Sequence, residues 1–256
     1  MTGKARRPAL RAVGAHARRA LLAACLFLTP VAGGTQNAQA WQGQQLSKAQ
    51  YLEPTTRYPH AVLGDDIEYG ALSLRYEGGA EFTIRLPKDR VFEDTAPRIV
   101  DVDGDGQSEA VVVESHQSQG ARLALYNAGG LIAATPYIGQ RFRWLAPVAI
   151  ADLDGDGTVE LAYIDRPHLA KTLRVWRFEA GKLSQIASMP DLTNHRIGER
   201  DIAGGLRTCP SNPEMIVASG NWRDLMAVTF DGKTLAKRSI GPHRDRNSFA
   251  AALACK

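Results

Sequence analysis

The chain has 256 residues, with 31 Lys and Arg against 27 Asp and Glu, a formal charge of +4. Six of those positive charges (Lys4, Arg6, Arg7, Arg11, Arg18, Arg19) and no negative one lie in residues 1–40, so residues 41–256 carry 4 − 6 = −2. The basic balance belongs to the N-terminal segment, and it gives no argument for nucleic-acid binding.

Residues 1–40 read as a cleavable signal peptide. A basic start precedes an apolar run over 20–31, and Ala38-Gln39-Ala40 has the small-x-small form of a cleavage site. The run is too short to cross a bilayer as a helix. Leu22-Ala23-Ala24-Cys25 resembles a bacterial lipobox, and Arg18-Arg19-Ala20-Leu21-Leu22 a twin-arginine signal. All these routes lead out of the cytoplasm, so the expected product is a periplasmic or secreted chain beginning at Trp41. Its 216 residues suffice for one domain, 41–256, with a core of its own. Two cysteines remain in it, Cys209 and Cys255. In an exported protein such a pair is expected to form a disulfide.

The strand pattern comes in units. Unit one has apolar or alternating runs at 71–76 and 81–86 around Glu77-Gly78-Gly79. Unit two has runs at 98–100, 110–114, 122–126 and 131–135, and unit three at 148–151, 161–164, 172–178 and 183–187. Unit four has 215–218, 225–230 and 234–238. Short β-branched runs bounded by Gly, Asn and Asp turns are strands. The tail 249–255 is apolar and of strand length, so it is expected to close a sheet or to pair with another chain. No helix is expected in 41–256.

Two loops carry the chemistry. Asp101-Val102-Asp103-Gly104-Asp105-Gly106-Gln107-Ser108-Glu109 has a near twin, Asp152-Leu153-Asp154-Gly155-Asp156-Gly157-Thr158-Val159-Glu160, 51 residues on. Acids fall at positions 1, 3, 5 and 9, and position 7, Gln107 or Thr158, offers a backbone carbonyl. Such alternating hard oxygens suit calcium, which takes 6–8 oxygen ligands at about 2.3–2.6 Å. An EF-hand is excluded, because position 12 is Val112 or Tyr163 rather than Glu, and the flanks are strands rather than helices. Residues 201–205 and 61–66 are expected to be degenerate copies of the same loop.

Four strands every ~50 residues is a β-propeller pattern, here with about four blades. Strand, Asp-x-Asp-Gly-Asp-Gly-x-x-Glu, strand resembles the FG-GAP/VCBS repeat of integrin α-chain propellers and exported bacterial proteins. The resemblance covers about 98–135 and 147–187. It implies calcium in the loop joining the first two strands of a blade. Two calcium ions are expected, one held by Asp101, Asp103, Asp105, Gln107 and Glu109, the other by Asp152, Asp154, Asp156, Thr158 and Glu160.

His116, Arg166, His168, His195, Arg196, His243 and Arg246 fall in connections at the opposite end of the strands. They are expected to form a basic face for an anionic glycan or a protein partner. The alternatives are a polysaccharide-acting enzyme using Asp165, Arg166, His168 and His195, or a structural module of the cell envelope. No G-x-S-x-G or H-E-x-x-H motif supports catalysis.

Overall fold

Valine, leucine and isoleucine runs between glycine and aspartate turns form strands largely where the sequence places them. The computed structural model describes residues 41–209 and 212–255, and the segment assigned to export lies outside them. The chain order is β1 (Leu46–Thr55), β2 (Glu68–Tyr76), β3 (Glu81–Arg85), β4 (Arg90–Phe92), β5 (Arg98–Val100), β6 (Glu109–His116), β7 (Gly120–Asn127) and β8 (Gly130–Ala134). Then come β9 (Leu145–Ala151), β10 (Glu160–Asp165), β11 (Thr172–Glu179) and β12 (Lys182–Met189). The last are β13 (Leu192–Thr193), β14 (Gly205–Arg207), β15 (Glu214–Ser219), β16 (Asp224–Phe230), β17 (Leu235–Pro242) and α1 (Arg246–Leu253).

Among the described residues the fold is all-β apart from α1, with three antiparallel sheets. Eight strands form the first, along β1-β2-β4-β6-β7-β8 with β3 on β2 and β5 on β6. The second is β12-β11-β10-β9, and the third β13-β15-β16-β17 with β14 on β15. Neighbouring sheets pack face to face through apolar residues. Val113, Leu125, Trp144, Leu161 and Tyr163 join the first sheet to the second. Ile164, Val175, Met215, Val217 and Val228 join the second to the third.

Three expectations are corrected. The tail is a helix, not a strand. Asp245 caps it, accepting from the Ser248 backbone N–H at 3.1 Å, while the Ser248 hydroxyl receives the Asp245 N–H at 3.3 Å. The alanines that follow lose little entropy in a helix, and Phe249 and Ala252 bury against β15 and β16. Second, residues 201–205 do not repeat the acidic loop. The first strand of unit four is split into β13 and β14, both paired with β15, and Asp201 lies in the segment between them. The connection equivalent to the acidic loops is 208–213. Third, residues 61–66 lie between β1 and β2, at the end opposite the acidic loops, where the Tyr58 hydroxyl accepts from the Phe142 N–H at 2.8 Å.

Candidate metal centre

Each acidic loop joins the first strand of its unit to the second, β5 to β6 and β9 to β10. The ladder brings Val100 opposite Glu109, and Ala151 opposite Glu160. The chain between must reverse within eight residues. Gly106 and Gly157 take φ of 85° and 88°, a region open to glycine and costly for other residues.

The two loops match bond for bond. Asp101 accepts from the Gly104 and Gly106 N–H groups at 2.8 and 2.9 Å, and Asp152 from Gly155 and Gly157 at 2.7 and 2.9 Å. Asp105 and Asp156 each accept from the N–H two residues on, of Gln107 and Thr158, both at 2.7 Å. Glu109 and Glu160 are buried, and each accepts from a backbone N–H, of Val102 at 3.0 Å and of Leu153 at 2.9 Å. Carboxylate oxygens of Asp101, Asp103 and Glu109 lie within 4.8 Å of one another, as do those of Asp152, Asp154 and Glu160. Asp105 and Asp156 stand outside these trios. An all-oxygen donor set around one point fits a hard dication such as calcium. A cavity of about 750 Å³ lies between the loops, lined by Asp101, Asp103, Gly104, Thr158 and Glu179.

The surroundings differ. Burial, and then repulsion from Asp103, Asp105 and Asp101, push the Glu109 carboxyl up to about 7. No cation among the described residues pairs with it. Burial also raises Glu160, but the Arg177 guanidinium opposes that rise. Arg177 Nε donates to Glu160 at 2.8 Å, and Nη2 lies 2.9 Å from Asp154 and 3.2 Å from Asp156. The first loop is braced instead by neutral groups. The Gly43 N–H donates to the Gln107 side chain at 2.9 Å, and the Gln45 amide donates to the Gly106 carbonyl.

At the opposite end the histidines and arginines divide into groups. His168 Nε2 and His195 Nδ1 are 3.1 Å apart, and the Trp144 ring packs on His195 at 4.9 Å. His195 is fully buried, and so does not present a surface charge. Burial lowers the pKa of both, His168 to about 4. His116 lies apart, 3.3 Å from Asp89. Arg196 stacks over Trp222 at 4.3 Å, and the His243 ring meets the same indole edge-on at 5.2 Å. Arg246 is bound to Glu199 at 2.5 Å and Asp201 at 3.0 Å. Arg166 is bound to Asp165 at 2.8 Å, as is Arg174 from β11. Of the four arginines, Arg196 alone has no carboxylate partner among the described residues.

A cleft of about 230 Å³ opens beside Asp165, between Tyr137, Tyr163, Arg166, Arg174, Trp176 and Gln185. Trp176, which lines it, has its Nε1 buried without a hydrogen-bond partner among the described residues. Sequence reasoning passed over Tyr137, Arg174, Trp176 and Arg177. The last three share β11, where ladder register sets Arg174 opposite Tyr163, Trp176 opposite Leu161 and Arg177 opposite Glu160.

Cys209 and Cys255 form a disulfide, with Cα atoms 6.1 Å apart. It ties the connection before β15 to the end of α1.

Residues 101–163 match the FG-GAP-like repeat family, so the chain carries a repeat of that class. The match takes in both acidic loops. No curated protein matches the chain. Among similar solved structures is the rhamnogalacturonan lyase YesW, with a TM-score of 0.42 and 13% identity over 69% of this chain and 44% of that one. The chain thus spans less than half the length of that protein. No described helix is long and apolar enough to cross a membrane.

Proposed function

We propose that residues 41–256 form an exported β-propeller of about four blades, stabilised by calcium, that binds an anionic saccharide. The two identically built oxygen cups at one end of adjacent sheets carry this reading. Asp101, Asp103 and Glu109, and likewise Asp152, Asp154 and Glu160, would hold the ion. Asp105 and Asp156, and the carbonyls of Gln107 and Thr158, stand next in line as donors. Calcium supplies a fixed charge that clamps the strand connection, and the protein residues orient their oxygens through backbone N–H bonds.

The ligand reading rests on the cleft at the far end. Aromatic side chains, two arginines against one aspartate, and an unpartnered indole N–H suit a sugar ring bearing a carboxylate. Calorimetry with uronate oligosaccharides tests it. Binding that weakens with salt and is lost in Trp176→Phe, with folding intact, supports the reading. Binding unchanged in Trp176→Phe, or displaced by chelator alone, would move the ligand to the cavity between the loops. Turnover of the oligosaccharide would make the domain an enzyme.

A further inference from the structure

Arg177 separates two loops that the sequence makes look equivalent. It stands on β11 directly opposite Glu160 in the ladder. From there its guanidinium reaches three acids of the second loop, Asp154, Asp156 and Glu160. In unit two the pairing of Ala110 with Tyr126 puts Asn127 opposite Glu109. Asn127 is uncharged and turns back to accept from the Gly129 N–H at 2.8 Å. Among the described residues nothing cationic enters the first cup.

We propose that Arg177 is a tethered counter-cation of the second loop, so that the first loop is the high-affinity calcium site and the second a weak one. The inference rests on the calcium reading above. A guanidinium keeps its charge at any physiological pH, so calcium can enter the second cup only by displacing it or by binding beside it. Displacement breaks charge-assisted hydrogen bonds to Asp154 and Glu160, and coexistence sets like charges a few ångströms apart. Asp154 cannot easily swing clear. Its side chain is 6% exposed and lies beneath the turn between β16 and β17, where a Cβ on Gly232 would come within 2.8 Å of it. Each loop carries four acids, with no cation among the described residues at the first and one, Arg177, at the second. A dication is expected to bind the second loop at least about tenfold more weakly.

The test is calorimetric calcium titration of the full chain, stripped with chelator, with native mass spectrometry counting bound ions. The unaltered chain should show one tight and one weak site. Asp101→Asn should abolish the tight one, and Asp152→Asn should leave it. Arg177→Gln should strengthen the weak site by about tenfold or more, while Arg177→Lys, which keeps the charge, should leave it weak. Two equal sites in the unaltered chain, or a weak site unmoved by Arg177→Gln, would overturn the proposal while leaving the calcium reading intact. No calcium binding at all would overturn both. If Arg177→Gln fails to fold, the two-step titration of the unaltered chain still decides.

Discussion

The acidic loops and the 208–213 connection do the same job with different means. All three join the first strand of a unit to its second and end on a buried glutamate: Glu109, Glu160 or Glu214. Glu109 faces a cup of aspartates. Glu160 faces the same cup with Arg177 in it. Glu214 has no cup. Its carboxylate takes Arg207 and Arg238, both at 2.6 Å, and the connection is two residues shorter and bonded through Cys209 to Cys255. A buried carboxylate at a strand start needs a cation, and the three units differ in which cation they offer. The third connection, without aspartates in its sequence, holds its glutamate with two arginines and is fastened by a covalent bond.

The largest expected effect comes from breaking the covalent member of this series. The disulfide closes a loop 46 residues long, worth about 4 kcal/mol on the chain-entropy account. Cys209→Ser with Cys255→Ser should lower the melting temperature and leave the number of bound calcium ions unchanged. A lost calcium would show that the clasp and the metal loops are one unit.

Next is Glu214→Gln. It keeps the shape but loses two charge-assisted bonds, at a cost of about 2–3 kcal/mol by denaturant unfolding. A cost well below 1 kcal/mol would mean that the disulfide alone holds this connection.

Chelation should act less strongly. Extracellular-type sites have dissociation constants of about 10⁻⁴–10⁻³ M, so calcium roughly tenfold above the first site's value stabilises by about 1.4 kcal/mol there and by about 0.4 kcal/mol at a second site ~10-fold weaker. Thermal unfolding with and without chelator measures it, and Asp201→Ala should show the same response as the unaltered chain. An unchanged melting temperature on chelation would remove the metal from the account.

A pH trend is expected from the other end of the sheets. His168 has a folded-state pKa near 4, below its ordinary value of 6.5, because of burial. The unfolded chain therefore takes up the proton first as pH falls. The His168 contribution to stability should be level above about 6.5 and decline from there towards pH 4. His168→Gln should flatten that decline, as followed by melting temperature against pH.

Much of this arrangement is legible in the sequence alone. Apolar and β-branched runs bounded by turn residues locate β2, β3, β5 to β12 and β15 to β17, with β6 and β10 buried almost throughout and β3 alternating exposed and half-buried positions. β1 was missed because its exposed positions carry Ser47, Lys48, Gln50 and Glu53 and it buries only Leu46 fully. β4, β13 and β14 are two or three residues long, too short for any periodicity. The apolar run Phe249 to Leu253 reads as a strand, and its helical signal is the cap Asp245-x-x-Ser248 upstream. The acidic loops were legible because their ligands are local in sequence. Arg177 was not, because its place opposite Glu160 depends on ladder register, which no local pattern states.

The account turns on the first loop being a calcium site. A crystal of the full chain grown with millimolar calcium, measured for anomalous scattering, tests that directly. The predicted result is a peak bound by Asp101, Asp103 and Glu109 oxygens at about 2.3–2.6 Å, stronger than any peak at the second loop. A first loop without a bound ion under those conditions, with Glu109 paired to a protein cation instead, would contradict it.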